Sequence, residues 1–386
     1  MGPILLTLIG GISVLAAGAA NQVDEKVSTD AALGGAALHQ PGVVVADGVP
    51  LLPEIEASAW LIADGHTGDV LAAHNAHLAL PPASTLKLLT AITLLPGLDP
   101  TLSYTATDTD ASVAGSRVGL APDETYTFDD LTRGLLLASG NDAAHALAEL
   151  SGGQAAAVAA MNAEAERLGA FDTVAVTPHG LDEPGQVSTA YDLALIARAA
   201  LADPQVARLA QTTTYDFPGL DGTAFQIQNR NRLLNSYEGA VGLKTGFTTE
   251  AGHTIAAAAE RGDVQLIVTV LHPEEGRAEP IAEALLDWGF STARVVAPVG
   301  TLVTPEDVER LQVAASIAEP AVAPTTPPAR STHEAAPLRG DAVDRTAVMG
   351  TVGLATLVIV GVLVRRARRR RGAYRGRRSA PPSPRR

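Results

Sequence analysis

Ser84 and Lys87 stand three positions apart at the start of an apolar run with helical spacing. Residues three apart share one face of a helix, so the Lys87 amine can reach the Ser84 hydroxyl. A serine hydroxyl becomes a strong nucleophile when an adjacent base removes its proton, and a lysine with a lowered pKa can be that base. A serine in the first helical turn also faces unpaired backbone N–H groups, which favour developing negative charge. The pair therefore predicts nucleophilic catalysis by Ser84.

The use of basic residues and cysteine narrows the possible chemistry. Of the 28 lysine and arginine residues only three are lysines, namely Lys26, Lys87 and Lys244. Arginine cannot lose its proton in a protein and lysine can, so a lysine retained in such a chain indicates a role that arginine cannot fill. The chain has no cysteine, which excludes disulfides, thiolate metal sites and a cysteine nucleophile.

Two further short motifs follow the Ser84 segment in a fixed order. The first is Ser139-Gly140-Asn141, and the second is Lys244-Thr245-Gly246. The order S-x-x-K, S-x-N and K-T-G is the motif set of penicillin-binding proteins and class A β-lactamases. Each string alone is weak evidence for a function, because such short strings are common by chance. Two of the three lysines of the chain fall inside the set, which is much less expected by chance.

The chain resembles the D-alanyl-D-alanine carboxypeptidases, which are low-molecular-mass penicillin-binding proteins, over residues 55–292. Arg277, shortly before the string LLDWGF at 285–290, resembles a family arginine associated with the terminal carboxylate of the substrate. Six other segments resemble the family's motifs: 81–87 (PPASTLK), 139–144 (SGNDAA), 178–181 (PHGL), 188–190 (STA), 229–231 (NRN) and 242–248 (GLKTGFT). The high alanine and arginine content is similar to that of actinobacterial members.

The resemblance implies a catalytic role for four residues. Ser84 attacks the carbonyl of a D-Ala-D-Ala peptide bond and becomes acylated, and water then releases the acyl group. Lys87, desolvated and near Lys244, is deprotonated readily enough to act as the base. Ser139 passes a proton to the leaving D-alanine, and Asn141 holds Lys87 and the substrate amide.

The remaining predicted residues bind substrate. Lys244 supplies positive charge and Thr245 a hydroxyl for the substrate carboxylate, and Gly246 lets a strand backbone approach the substrate. The oxyanion is expected at the backbone N–H group of Ser84 and, as the family resemblance implies, that of Phe247. The reaction needs no metal and no organic cofactor. A β-lactam is expected to acylate Ser84, because its strained amide mimics the same substrate. His179 is interpreted as a structural residue of its turn.

The hydrophobic pattern predicts strands at both ends of the folded region and helices between them. Strands are expected at 57–63, 69–73, 254–259 and 264–271, and helices at 131–150, 155–168, 191–201 and 280–288. This order predicts an α+β fold, an α/β sandwich. One antiparallel sheet from both chain ends is flanked by helices, with a helical subdomain. The resemblance implies the DD-peptidase/β-lactamase-like fold.

The chain termini predict a membrane protein. Residues 346–364 are uncharged and long enough to cross a hydrocarbon core of about 30 Å. The arginines that follow at once place that end in the cytoplasm, and the catalytic domain outside it. The expected segments are a signal peptide (1–20), cleaved or uncleaved, a flexible lead-in (21–47), the catalytic domain (48–293), a short C-terminal extension (294–318), a Pro/Ala-rich tether (319–345), a single transmembrane helix (346–364) and an Arg-rich cytoplasmic tail (365–386).

Charge is divided unevenly along the chain. The net charge is −14, and eleven arginines after residue 364 leave −25 on the rest. A uniform nucleic-acid binder would not show this division, so no nucleic-acid partner is expected. The expected partners are peptidoglycan stem peptides ending in D-Ala-D-Ala, β-lactams as inhibitors and the membrane.

Two other functions are weighed against the carboxypeptidase. A class A β-lactamase uses a glutamate to activate the deacylating water, but no E-x-x-L-N-like string lies between Asn141 and Lys244, and Glu183 lacks that context. A catalytically weak cell-wall binding or sensing protein would not be expected to keep all three motifs. The sequence therefore favours a serine-type carboxypeptidase.

Overall fold

The structure is a computed structural model, and it describes residues 33–318 apart from residue 275. The α-helices in these residues are α1 (Lys87–Leu94), α2 (Asp108–Ser112), α3 (Phe128–Leu136), α4 (Asn141–Leu150), α5 (Gln154–Leu168), α6 (Ala190–Ala202), α7 (Pro204–Gln211), α8 (Leu233–Ser236), α9 (Ala278–Thr292) and α10 (Pro305–Ala318). The strands are β1 (Val43–Val45), β2 (Ala57–Asp64), β3 (Asp69–His74), β4 (Ser103–Thr105), β5 (Thr125–Thr127), β6 (Thr214–Pro218), β7 (Ala224–Gln228), β8 (Ala240–Thr248), β9 (Gly252–Arg261), β10 (Val264–Pro273) and β11 (Gly300–Thr301).

One antiparallel sheet of seven strands combines both ends of the described chain. Its order is β1-β3-β2-β10-β9-β8, and β11 also pairs with β3. The central strands β2 and β10 pair from Ala57 opposite Pro273 to Asp64 opposite Leu266. This arrangement, with the helices of the middle region packed on the sheet, confirms the predicted α+β fold.

The sheet separates two hydrophobic cores. Successive side chains of a strand point to opposite faces, so Trp60 and Ile62 pack with α9 on one face, while Leu61 and Ala63 join the helical layer on the other. All four side chains are almost completely buried. A strand covered on both faces is expected to be continuously apolar, which explains the unbroken run that predicted β2.

The helical layer surrounds α1. Helices α5 and α6 pack against α1, and α6 also packs on β2 and β10. A 3-10 helix, Ala83–Leu86, precedes α1 and contacts β8 and β9. The start of α1 is therefore fixed between the sheet and the helical layer.

The structure differs from the predicted helix over 131–150. Two helices, α3 and α4, replace it, and the chain turns between them at Ser139, where φ is +61°. A positive φ cannot be accommodated in a right-handed helix. Both α3 and α4 bury an apolar face. The hydrophobic periodicity of the sequence therefore continues across the turn at Ser139, and the turn cannot be recognised from it.

The folded unit is also longer at both ends than the predicted range 48–293. Strand β1 lies in the predicted flexible lead-in and pairs with β3, and Leu38 is buried in the core. In the predicted extension 294–318, β11 pairs with β3 and Val308 of α10 is buried. These segments cover an edge of the sheet, but their strands are too short to show a period.

The predicted signal peptide, tether, transmembrane helix and tail lie outside the described residues. None of the helices within residues 33–318 is long and apolar enough to cross a membrane.

Candidate active site

Ser84 lies in the first turn of the Ala83–Leu86 3-10 helix and is partly exposed. The carbonyl of Pro82 accepts hydrogen bonds from Thr85 Oγ1 at 2.6 Å and, from strand β9, Thr254 Oγ1 at 3.0 Å. Ala83, which is fully buried, has a positive φ of +51°. A non-glycine residue in this region is strained and is kept there only by its surroundings. The turn therefore presents Ser84 from a fixed backbone.

Lys87 is fully buried, and its amine is surrounded by acceptors. Nζ donates to Ser84 Oγ at 3.0 Å, to Asn141 Oδ1 at 2.7 Å and to the carbonyl oxygen of His179 at 2.5 Å. The spacing of three residues thus places the amine on the serine hydroxyl, as the helical pattern predicts.

The surroundings of Lys87 favour its neutral form. Burial is the main reason that its pKa lies well below that of a free lysine, and the positive charges of Lys244 and Arg230 lower it further. The carboxylate of Asp142 acts in the opposite direction. A lowered pKa makes a lysine available as a general base. The backbone carbonyl of His179 is the acceptor for Lys87, and burial, followed by the charge of Lys87, lowers the pKa of the His179 ring to about 3.

The second motif sits at the turn between α3 and α4. Asn141 is the first residue of α4, and its side-chain amide bridges Lys87 and the carbonyl of Ala114, to which Nδ2 donates at 2.7 Å. Ser139 lines a cavity together with Ser84. Among the described residues, no hydrogen bond joins the Ser139 side chain to Lys87 or Lys244.

The third motif lies on β8, at the edge of the sheet beside the nucleophile. Lys244 is buried and donates to the carbonyl of Thr245 at 2.8 Å. Burial, followed by the charge of Arg230, lowers the pKa of Lys244 to about 7. Gly246 packs against the Ser84 segment, and Thr245 and the exposed Phe247 line the cavity at Ser84.

Ser84 lies where two cavities meet. One has a volume of about 850 Å³ and the other about 490 Å³, and both are lined by Ser84, Ser116, Arg230 and Phe247. Arg277 lines the smaller cavity, where its guanidinium is 3.8 Å from the carboxylate of Glu279. The structure therefore brings all nine predicted residues to one place, around a serine accessible from two sides.

The comparisons with known proteins agree with this geometry. The sequence profile of the D-alanyl-D-alanine carboxypeptidases, peptidase family S11, matches residues 46–275. This chain belongs to the D-alanyl-D-alanine carboxypeptidase family. The predicted family is therefore confirmed, and with it the enzyme class, a serine-type carboxypeptidase.

Individual relatives within the family cover the same region. The D-alanyl-D-alanine carboxypeptidase DacB2 of Mycobacterium tuberculosis is 42% identical over 252 residues, which are 64% of this chain and 86% of that protein. A crystal structure of a D-alanyl-D-alanine carboxypeptidase from M. tuberculosis is 40% identical with a TM-score of 0.64, and covers 67% of this chain and 100% of that one. A Streptomyces DD-transpeptidase is 29% identical with a TM-score of 0.58, and covers 63% of this chain and 100% of that one.

Arg230 is a site residue of this carboxypeptidase that the sequence analysis missed. It lines both cavities, donates to Ser116 Oγ at 3.0 Å, and lowers the pKa of both buried lysines. The string NRN at 229–231 was the available signal. This string alone could not show whether Arg230 belongs to the site or only supports the fold. Arg230 approaches the two lysines because segments distant in sequence pack together.

Proposed function

We propose that this chain removes the terminal D-alanine from peptidoglycan stem pentapeptides through an acyl-enzyme on Ser84. The observation that carries the proposal is the hydrogen bond of 3.0 Å between Ser84 Oγ and the fully buried amine of Lys87. A neutral amine at this distance can accept the hydroxyl proton as Oγ attacks the substrate carbonyl.

Acylation then follows from the residues around the pair. The attack forms the Oγ–C bond and an oxyanion, which the backbone N–H groups of Ser84 and Phe247 stabilise. As the C–N bond breaks, the proton held by Lys87 passes through Ser139 to the leaving D-alanine amine. Water then attacks the ester and gives a proton to Lys87; as the C–Oγ bond breaks, Lys87 returns that proton to Oγ and the acid product leaves.

The two cavities assign the two halves of the substrate. The smaller one is lined by Thr245, Arg277 and two other arginines, Arg230 and Arg232. A concentration of guanidinium groups matches a carboxylate, so the terminal D-alanine binds there, beside Lys244. The larger cavity accepts the acyl part of the stem peptide. The close approach of Gly246 to Ser84 supports binding of the substrate along β8.

The cavities favour a carboxypeptidase over a β-lactamase. Among the described residues, the carboxylates that line them are Asp182 and Glu279. Asp182 accepts hydrogen bonds from Thr248 Oγ1 and from the backbone of Glu250, and Glu279 faces Arg277. Carboxylates that already face these protein partners are not positioned to hold a water against an ester on Ser84. We expect penicillin to acylate Ser84 and the resulting acyl-enzyme to be hydrolysed slowly.

Two measurements test the proposal. Labelled penicillin should acylate the parent chain and fail to label Ser84→Ala, while a parent that is never labelled would refute the acyl-enzyme. Release of D-alanine from a pentapeptide, followed in the same two proteins, then tests turnover. A labelled parent that releases no D-alanine would instead indicate a cell-wall binding protein.

We also propose that the catalytic domain acts outside the cytoplasm, on a single membrane span at 346–364. The sequence supports this through the uncharged span, the arginines after it and the apolar run within residues 1–20. Protease added to intact cells should remove the domain and leave residues 365–386 protected. A domain protected until the cells are lysed would contradict the proposal.

A further inference from the structure

A loop forms one wall of the larger cavity, and a buried carboxylate holds it from below. This 111–120 loop, which begins with the last two residues of α2, contributes Ala111, Gly115, Ser116, Arg117, Gly119 and Leu120 to the cavity lining. Asp142 of α4 is fully buried and accepts backbone N–H bonds from three consecutive residues: Val118 at 2.9 Å, Gly119 at 2.7 Å and Leu120 at 3.0 Å. No lysine or arginine in the described part of the chain forms an ion pair with this carboxylate.

The same loop fixes the side chain of the preceding residue, Asn141. The carbonyl of Ala114 accepts from Asn141 Nδ2 at 2.7 Å, and that of Ser116 accepts from the Asn141 backbone N–H at 2.7 Å. Because Nδ2 is held on the loop, Oδ1 faces Lys87. With the amide reversed, N–H groups would face the Lys87 amine and two oxygens would face each other at Ala114. The position of the loop therefore selects the orientation of the amide.

We propose that Asp142 is a positioning residue of the acylation step: by holding the loop, it keeps Asn141 Oδ1 on the amine of Lys87. This inference rests on the proposed function, in which Lys87 is the base for Ser84. Asp142 touches neither the substrate nor Ser84, and acts through the loop carbonyl and the Asn141 amide.

The charge of Asp142 provides a signal that a purely structural residue would lack. The charged groups that influence the amine are Lys244 and Arg230, which lower the pKa of Lys87, and Asp142, which raises it; the ring of His179 is uncharged near neutral pH. Loss of the Asp142 charge should lower this pKa further. Simple loosening of the loop would admit water and raise it, since burial is the largest cause of the shift.

Asp142→Asn tests the proposal. The substitution replaces one carboxylate oxygen with an N–H donor, and each oxygen accepts two backbone N–H bonds: Oδ1 from Val118 and Ala143, Oδ2 from Gly119 and Leu120. We expect acylation by labelled penicillin to slow by roughly 10- to 100-fold, and the acid limb of its pH profile to move to lower pH. The control is Asp130→Asn, which removes a similarly buried carboxylate that binds Thr127 and Tyr215 away from the cavities. The control should acylate within about twofold of the parent.

Gly115→Ala tests the same contact without a buried substitution. Gly115 is exposed, has a φ of +82°, and a β-carbon there would lie 2.8 Å from Asn141 Nδ2. Acylation should slow without a shift of the acid limb to lower pH, because no charge is removed. Gly48→Ala is the control, since Gly48 has a φ of +74° and no neighbour within 4 Å.

Three results would overturn this role: an Asp142→Asn rate equal to that of Asp130→Asn, an acid limb that fails to move to lower pH, or a Gly115→Ala rate equal to that of Gly48→Ala. If Asp142→Asn does not fold, equal rates for Gly115→Ala and Gly48→Ala still refute the role, because acylation would then not depend on the contact between the loop and Asn141. A parent that is not acylated would refute the proposed function instead, so the two failures are distinguishable.

Discussion

Gly246 and Ser84 approach so closely that a β-carbon on Gly246 would lie 2.7 Å from the backbone nitrogen of Ser84. It would also overlap Thr254 Oγ1, the group that holds the carbonyl of Pro82. The edge strand and the nucleophile turn are thus in direct backbone contact. A side chain at position 246 cannot be accommodated unless one of them moves.

Gly246→Ala should therefore slow acylation by about 100-fold, because a displacement of about 1 Å between reacting groups has effects of that size. The rate of labelling by penicillin measures it. Gly97→Ala is a suitable control, since Gly97 is exposed and has no neighbour within 4 Å. Equal labelling rates in the two variants would show that the strand tolerates the displacement.

Lys87→Arg tests the base. Arginine keeps its proton at all accessible pH values, so acylation should fall by about 10²- to 10⁴-fold, the usual contribution of a general base. Lys26→Arg makes the same change outside the described residues and should leave the rate unchanged. Thermal unfolding of Lys87→Arg must be followed as well, because the buried site has little space for a larger side chain. A folded variant that acylates at the parental rate would exclude Lys87 as the base.

The lowered pKa of Lys244 predicts a pH dependence of stability. Folding lowers this pKa to about 7, while an unfolded lysine has a pKa of about 10.4. Between these values the unfolded chain binds more protons, so the free energy of unfolding rises with pH, by at most about 1.4 kcal/mol per pH unit for this group.

Denaturant unfolding of the parent and of Lys244→Met, between about pH 8 and 9.5, measures this effect. Below that window Asp192, whose pKa burial raises to about 7, contributes the opposite slope. The slope should be shallower in Lys244→Met than in the parent. Identical slopes would mean that Lys244 keeps an ordinary pKa in the folded chain.

The sequence predicted the residues of the site better than their surroundings. Ser84 and Lys87 could be paired because residues three apart share a helical face, and Lys244 was conspicuous because lysine is rare. Arg230 and Asp142 could not be assigned in the same way. Their effects on Lys87 depend on how a distant turn and the 111–120 loop pack, which no local periodicity reports.

The same limit applies to the fold. Continuous apolar runs revealed β2, β9 and β10, because these strands are buried on both faces. Strands β1 and β11 have three residues and two, fewer than a period-2 pattern needs to be recognised. Ser139 has a positive φ inside an apparently continuous helical pattern. Strain of this kind arises from tertiary packing and leaves no mark in hydrophobic spacing.

Arg277→Ala tests the predicted contact with the substrate carboxylate. The Arg277 side chain is 47% exposed, and one of its guanidinium nitrogens lies 3.8 Å from Glu279. A guanidinium has five N–H donors, so Arg277 can face Glu279 and still bind a second carboxylate. A partly exposed ion pair contributes about 1 kcal/mol, so KM for the pentapeptide should rise about fivefold with little change in kcat. Arg261→Ala, which removes an arginine packed on Tyr237 and Phe290, is the control. An unchanged KM would leave Arg277 as a surface ion pair.

Residues 294–318 should be needed for stability, although the hydrophobic pattern separates them from the catalytic domain. The Tyr191 hydroxyl donates to the carbonyl of Thr301 and accepts from the backbone N–H of Val303, while Leu302 and Val308 are almost fully buried. Each buried aliphatic side chain stabilises the fold by about 1.5–3 kcal/mol. A chain ending at residue 293 should therefore lose about 3 kcal/mol or more in its free energy of unfolding, compared with one ending at residue 318.

Point variants within this segment separate packing from chain length. Leu302→Ala should cost about 2–5 kcal/mol, as expected for a large-to-small change in a core. Val295→Ala should cost under about 0.5 kcal/mol, because Val295 is 77% exposed. Leu302 lines neither cavity at Ser84, so folded Leu302→Ala should keep the parental rate of penicillin acylation. Equal unfolding energies for the two variants would show that residues 294–318 are an independent extension.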